Sequence, residues 1–215
     1  MKIVCISDLH THMKKVVVPE CDMLLCAGDI SYRGKEKNIR KFLQWFQSTP
    51  AKYKIFIAGN HDFLFEKNPE QAQVILNDYP DIIYLENSSV TIEGLKIWGS
   101  PWTPEFYNWA FNAFPKKIRS IWSQIPDDTD ILITHGPPRR ILDKTYWREE
   151  HVGCPWLMKN VQRIKPKLHV FGHIHEGYGM VEKDGTIFVN ASSCTLQYKP
   201  TNKPIEVELE VPDKE

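Results

Sequence analysis

The chain has 215 residues, 42% hydrophobic and 25% charged, with Lys plus Arg and Asp plus Glu each numbering 27. That length suffices for one well-buried core, and residues 1–215 are expected to form a single domain. A formal charge of zero argues against an extended nucleic-acid surface, while leaving room for small phosphate esters in a local pocket. The opening Met1-Lys2-Ile3-Val4-Cys5-Ile6-Ser7 is too short and too promptly polar for a secretory signal. No apolar run approaches the roughly 18 residues of a membrane span, so no membrane association is expected. The five cysteines (Cys5, Cys21, Cys26, Cys154 and Cys194) contain no CxxC pair, and such an odd set without a framework fits a reducing, cytoplasmic setting.

Taken in order, residues 3–7 read as a buried strand that ends in Asp8-Leu9-His10, and residues 23–27 as a second that ends in Gly28-Asp29. Residues 36–47 place Ile39, Phe42, Leu43 and Phe46 at helical spacing before the stop at Pro50. The strand at 53–58 runs into Gly59-Asn60-His61-Asp62, and a helix with Val74 and Ile75 on its apolar side is predicted over 69–78. This β, α, β, α rhythm favours an α/β sheet with largely parallel strands.

Short strands follow at 82–84, 90–92 and 95–98, with Glu93-Gly94 as a hairpin turn. The aromatic-rich segment 98–122 predicts one or two helices around a break at Pro115. Residues 131–134 form a strand ending in His135-Gly136, residues 156–164 a helix, and residues 168–171 a strand ending in Gly172-His173-Ile174-His175. Strands at 178–182 and 186–190 flank Asp184-Gly185, a hairpin signal, and 205–211 alternates as a last strand.

Five apolar strands thus end in polar groups of one chemical kind: Asp8 with His10, Asp29, Asn60 with His61, His135, and His173 with His175. Each taken singly is compatible with a turn, a cap or a rigid loop. Their conjunction is different, because the carboxyl ends of parallel strands line the ligand crevice of an open α/β sheet. Carboxylates and imidazoles gathered there make a nitrogen/oxygen metal site. The ligands are too many for one ion, so two metals with a bridging carboxylate are expected. Asp29 is the best bridge, since it is the only ligand its strand offers.

The series Asp8-x-His10, Gly28-Asp29, Gly59-Asn60-His61-Asp62, Thr134-His135 and Gly172-His173-x-His175 resembles the calcineurin-like metallophosphoesterase superfamily, in order and in context. The resemblance implies a four-layer α/β/β/α sandwich of two mixed sheets flanked by helices. It implies one metal held by Asp8, His10, Asp29 and His175, and another held by Asp29, Asn60, His135 and His173. His61 is then no ligand but faces the substrate, oriented by the carboxylate of Asp62. A narrower resemblance runs through Gly99-Ser100-Pro101-Trp102, His135-Gly136-Pro137-Pro138, 165–179 and Asn190-Ala191-Ser192-Ser193-Cys194. These stretches are similar to the metallophosphoesterase-domain-containing proteins, a group associated with hydrolysis of cyclic nucleotides and other phosphodiesters. Some members carry Gly where this chain has His173.

Together these readings predict a metal-dependent phosphodiesterase. Paired metals hold a water and lower its pKa from 15.7 toward about 7, and the resulting hydroxide attacks phosphorus in line. His61 then assists the departing alkoxide. Manganese, iron or zinc suits the carboxylate and imidazole ligands, with manganese favoured, and no Cys stands at a strand end to select a softer ion. Asn60, His61 and Arg139 are the expected substrate contacts. Trp102, Phe106 and Trp109 are candidates to stack a base, Arg140, His151 and Cys154 are further residues near the expected rim, and Asn190, at a strand end, is a candidate to support the ligands from behind. The alternatives are a phosphomonoesterase, for which Arg139 and Arg140 are candidate dianion clamps, and a non-catalytic interaction module on the same fold. The second of these is disfavoured because no ligand is missing.

Overall fold

In a computed structural model, which describes residues 1–146 and 150–211, every strand end singled out above lies at one edge of the molecule. The chain opens with β1 (Lys2–Ile6), β2 (Cys21–Cys26), α1 (Glu36–Gln47), β3 (Ala51–Phe56), α2 (Phe63–Lys67), α3 (Pro69–Leu76) and β4 (Ile82–Tyr84). It continues through β5 (Ser88–Ile92), β6 (Leu95–Ser100), β7 (Thr103–Pro104), β8 (Asn112–Ala113), α4 (Pro115–Trp122) and β9 (Ile131–Thr134). It closes with α5 (Pro155–Ile164), β10 (Leu168–Phe171), β11 (Gly179–Lys183), β12 (Thr186–Asn190) and β13 (Ile205–Glu208).

The strands assemble into one sheet of order β13-β1-β2-β3-β4 and another of order β11-β12-β10-β9-β6-β5. In the first, β1 to β4 run parallel and β13 antiparallel. In the second, β12, β10, β9 and β6 run parallel, and hairpins add β11 and β5 as antiparallel edges. Both hairpins turn at paired left-handed residues, Glu93-Gly94 and Asp184-Gly185, the conformation that matches the twist of the flanking strands.

Alternation along the central strands fills two kinds of core. Ile3, Cys5, Met23, Leu25 and Ile55 of the first sheet meet Ile97, Ile131, Ile133, Leu168, Val170 and Val189 of the second. Their neighbours Val4, Ile6, Leu24 and Cys26 point the other way, into the cluster that holds Ile39, Phe42, Leu43 and Phe46 of α1. A strand buried on both faces has no polar side to show, which is why these strands read as continuous apolar runs. On the far side Trp122 of α4 meets Trp98 of β6 edge-on at 6.3 Å, and its indole N–H donates to Cys154 Sγ at the start of α5. The result is the expected α/β/β/α layering of two mixed sheets flanked by helices.

Three elements depart from the sequence reading. The segment before Pro115 is not helical: β6 extends through Ser100, and β7 and β8 form a two-stranded parallel ribbon. Pro115 is no break but the first residue of α4, where its missing N–H has no partner to lose. On α3 the apolar side is Ala72 and Ile75, whereas Val74 is 63% exposed.

Candidate metal centre

The edge where the strand ends gather is also where the sheets join. Ser7, just after β1, bridges to Ser192, just after β12, and the Ser193 N–H donates to the Ser7 carbonyl at 2.8 Å. The His135 ring crosses the other way, with Nδ1–H donating to the Ala27 carbonyl at 2.8 Å. The chain leaves its strands through left-handed turns at Asp8, His10, Asp29 and His173, with φ of 52°, 40°, 52° and 68°. Such conformations cost side-chain-bearing residues roughly 1–3 kcal/mol each and gather at functional sites. Two glycines make the approach feasible: a Cβ on Gly172 would collide with the Asp8 carboxylate and the Ser7 hydroxyl, and one on Gly59 with the Asp29 carboxylate.

Two groups of ligand atoms result, sharing Asp29. In one, His175 Nε2 lies 3.2 Å from Asp8 Oδ1 and 3.3 Å from His10 Nε2, and His10 Nε2 is 3.8 Å from Asp29 Oδ2. In the other, His135 Nε2 is 3.4 Å from Asp29 Oδ2, and Asn60 Oδ1 is 2.8 Å from both His135 Nε2 and His173 Nδ1. The sets Asp8–His10–His175, His10–Asp29–His61 and Asp8–Asp29–His135 each offer ligand atoms within 4.8 Å of one another. Asp8, His10, Asp29, Asn60 and His135 are all buried.

This packing of acceptors is a test of fit for a divalent cation. His175 Nδ1 donates to the Thr195 carbonyl and His135 Nδ1 to that of Ala27, so each neutral ring turns an unprotonated Nε2 toward carboxylate oxygen. Lone pairs that close need positive charge between them. Without an ion, protons supply it. Burial opposes charging His135 and His175, yet Asp29 beside the first and Asp8 beside the second hold each up at about 9. Burial also opposes ionising Asp8 and Asp29, but the imidazoles of His175 and His135 pull both carboxyls below their ordinary range. Burial carries His10 down to about 4 and His173 to about 3. Buried carboxylate, amide and imidazole donors therefore fit a divalent metal, whose binding releases protons from this site.

Around the ligands stands a supporting shell. Asp8 Oδ2 accepts from the Ser192 hydroxyl at 2.9 Å, and both Asp8 oxygens face the His173 N–H. Asn190 Oδ1 accepts from the Ser192 N–H, and its amide donates to the carbonyls of Leu142 and Ile174. Ser192 is a residue the sequence reading did not single out. Its signal was there: it lies two residues past a buried strand, as Asp8 and His173 do.

The role expected of Asp62 requires correction. Its carboxylate does not reach the His61 ring; it accepts the N–H groups of Ile30, Ser31 and Gly59 and the Ser31 hydroxyl. Burial and the nearby Asp29 push the Asp62 carboxyl up to about 7 against the pull of those donors. Asp62 thus fixes the turn that carries Asn60 and His61. The His61 ring is set instead by the Tyr32 carbonyl, which accepts its Nδ1–H at 2.9 Å, and by Trp109, stacked on it at 4.2 Å. His61 Nε2 faces Asp29 Oδ2 at 3.9 Å.

Of the other predicted rim residues, Trp102 is buried beneath the Lys117 ammonium, and Phe106 meets the His173 ring edge-on at 4.8 Å. Arg139 and Arg140 are exposed, and the backbone N–H of Arg139 donates to the Cys154 carbonyl. His151 pairs with the buried Asp143 at 2.6 Å, and Cys154 caps α5 by accepting from the Leu157 N–H. Tyr32 and Tyr198, neither anticipated, bring their rings to 5.4 and 4.7 Å from that of His10.

Residues 1–177 match the family model described as calcineurin-like phosphoesterase. The chain belongs to that family. This calcineurin-like phosphoesterase is 41% identical over 234 residues to Metallophosphoesterase domain-containing protein 1 of Homo sapiens, with 98% of this chain and 72% of the relative covered. The Mus musculus protein of the same name matches to the same extent. Among solved structures, TT1561 of Thermus thermophilus superposes with a TM-score of 0.60 at 12% identity, covering 88% of each chain. An archaeal phosphodiesterase superposes with a TM-score of 0.50 at 17% identity, covering 97% of this chain and all of its own. At those identities the two structures speak for the shared fold. Family and site agree on a metal-dependent phosphoesterase.

Proposed function

We propose that this phosphoesterase is a dinuclear metal-dependent phosphodiesterase acting on small phosphodiesters, cyclic nucleotides among them. The observation that carries the reading is the double approach to Asp29, whose Oδ2 stands 3.8 Å from His10 Nε2 and 3.4 Å from His135 Nε2. One carboxylate thereby serves both ligand groups. On this reading Asp8, His10, Asp29 and His175 hold one divalent ion, and Asp29, Asn60, His135 and His173 hold the other. Manganese is favoured among manganese, iron and zinc, all of which suit such donors. Bound there, the pair supplies an activated water nucleophile and neutralises charge growing on the phosphoryl oxygens.

The chain's own residues do the rest. With Nδ1–H committed to the Tyr32 carbonyl, His61 has Nε2 left to give a proton or a hydrogen bond to the departing oxygen. Assistance of that kind is worth roughly 10²–10⁴-fold. Asp62 holds the turn beneath it. Asn60 and Arg139, the latter on the exposed loop after His135, are the further phosphate contacts of this proposal.

The rim supports a diester over a monoester. Rings of Trp109, Tyr32 and Tyr198 surround His61 and His10, flat surfaces suited to a second ester group. The test is turnover of bis-p-nitrophenyl phosphate, p-nitrophenyl phosphate and cyclic AMP by manganese-reconstituted protein. Diester turnover above monoester turnover is expected. The reverse order would move the reading to a phosphomonoesterase.

A further inference from the structure

Immediately beyond the ligand His10, the chain turns away through a second left-handed residue, Thr11 at φ 69°. A 3-10 turn over Met13–Lys15 follows, closed by the Val16 N–H on the Met13 carbonyl and led in by the Lys15 N–H on that of His12. This turn forms one wall of a cavity of about 760 Å³, and α1 forms another. Thr11, His12, Lys14, Lys15, Lys41 and Trp45 line it, and no Asp or Glu does.

The charge there departs from that of the molecule. Basic and acidic residues balance at 27 each over the chain, whereas the lining of this cavity carries Lys14, Lys15 and Lys41 and no carboxylate. These residues thus bring three like charges to the lining of one cavity, a setting that favours an anion. The half-buried Trp45 ring adds a flat apolar face beside them.

The cavity is also close to the centre. The Tyr32 ring lies 5.4 Å from that of His10, which belongs to the ligand cluster, and 6.2 Å from that of His12, which belongs to the cavity. A single aromatic ring therefore separates the two. We propose that this cavity is a second anion subsite, and that the substrate class is a phosphodiester carrying a further, non-scissile phosphate. The scissile group sits at the ligand cluster, the connecting portion crosses Tyr32, and the second phosphate rests among Lys14, Lys15 and Lys41. This rests on the phosphodiesterase reading above.

The experiment compares calorimetric binding of adenosine 3′,5′-bisphosphate and adenosine 5′-monophosphate to manganese-loaded protein and to the Lys14→Ala/Lys15→Ala/Lys41→Ala variant. All three side chains are exposed, and a matching thermal melt checks that the variant is folded. The wild type is expected to bind the bisphosphate about tenfold more tightly than the monophosphate, the sum of a few exposed ion pairs. That preference should shrink in high salt. The variant should lose it and keep its affinity for the monophosphate. Equal affinities in the wild type, no binding of the bisphosphate, or a preference that survives the three substitutions would overturn the proposal. Turnover of bis-p-nitrophenyl phosphate, which has no second phosphate, is followed alongside and should be equal in both proteins. Its absence from both would count against the phosphodiesterase reading, while the binding comparison would still decide the subsite.

Discussion

At the scale of single residues, much of the site's geometry depends on groups that bind nothing themselves. Ser192 is one: its hydroxyl occupies Asp8 Oδ2 and so fixes which oxygen is left for His175. Loss of such a partner typically costs 10–100-fold in metal affinity or activity. Ser192→Ala is accordingly expected to weaken manganese binding by about that factor with the fold intact, as read by calorimetric titration and circular dichroism. Unchanged affinity would remove Ser192 from the site. Trp109 is another. Its stacking on His61, with the Arg33 guanidinium 5.1 Å from the Trp109 ring, is worth ~0.5–1.5 kcal/mol. Trp109→Ala should therefore slow diesters with alkyl leaving groups by about threefold to tenfold. Diesters of p-nitrophenol, whose leaving group needs no proton, should be nearly unaffected. Equal slowing of both classes would mean that Trp109 serves packing rather than His61.

At the scale of elements, the parallel strands were legible and the loops between them were not. A strand buried on both faces must be apolar, so a polar run at its carboxyl end stands out in the sequence, as Asp8 after Ile6 and His135 after Thr134 do. The stretch from Trp102 to Phe114 offered no such contrast. Trp102, Phe106 and Trp109 stand at helical spacing, which suggests a helix, yet these aromatics are spent on a short ribbon, on Lys117 and on the rings of His61 and His173. The partner of His61 was illegible for a different reason. It is the backbone carbonyl of Tyr32, and no residue type announces a carbonyl.

An element-scale prediction concerns β10. His169 is fully buried there; its Nε2–H faces Thr134 Oγ1, whose own proton goes to the Gly136 carbonyl, and its Nδ1 has no partner. Burial lowers its pKa from 6.5 to about 3. Between those values the unfolded chain holds a proton that the folded chain refuses, so stability rises with pH across the window and its full contribution is present above about 6.5. The slope should be about 1.4 kcal/mol per pH unit from this residue. Urea melts of the wild type and His169→Gln between pH 4 and 7 should differ by that slope. Parallel curves would show that His169 titrates normally in the folded protein.

At the scale of the molecule, both sheets contribute to the candidate centre: Asp8, His10, Asp29 and Asn60 follow strands of the first, and His135, His173 and His175 follow strands of the second. A cation held across that seam binds the folded chain and not the unfolded one, so saturating manganese should raise the melting temperature and a chelator should reverse the gain. A melting temperature indifferent to manganese would mean that the seam holds no ion.

The most direct measurement is the manganese content of the wild type and Asp29→Ala by equilibrium dialysis, with diester turnover on the same samples. About two ions per wild-type chain are expected, with turnover that follows them and is lost in Asp29→Ala together with at least one ion. Tight binding of a single ion, or full diester turnover in Asp29→Ala, would contradict a shared-carboxylate centre.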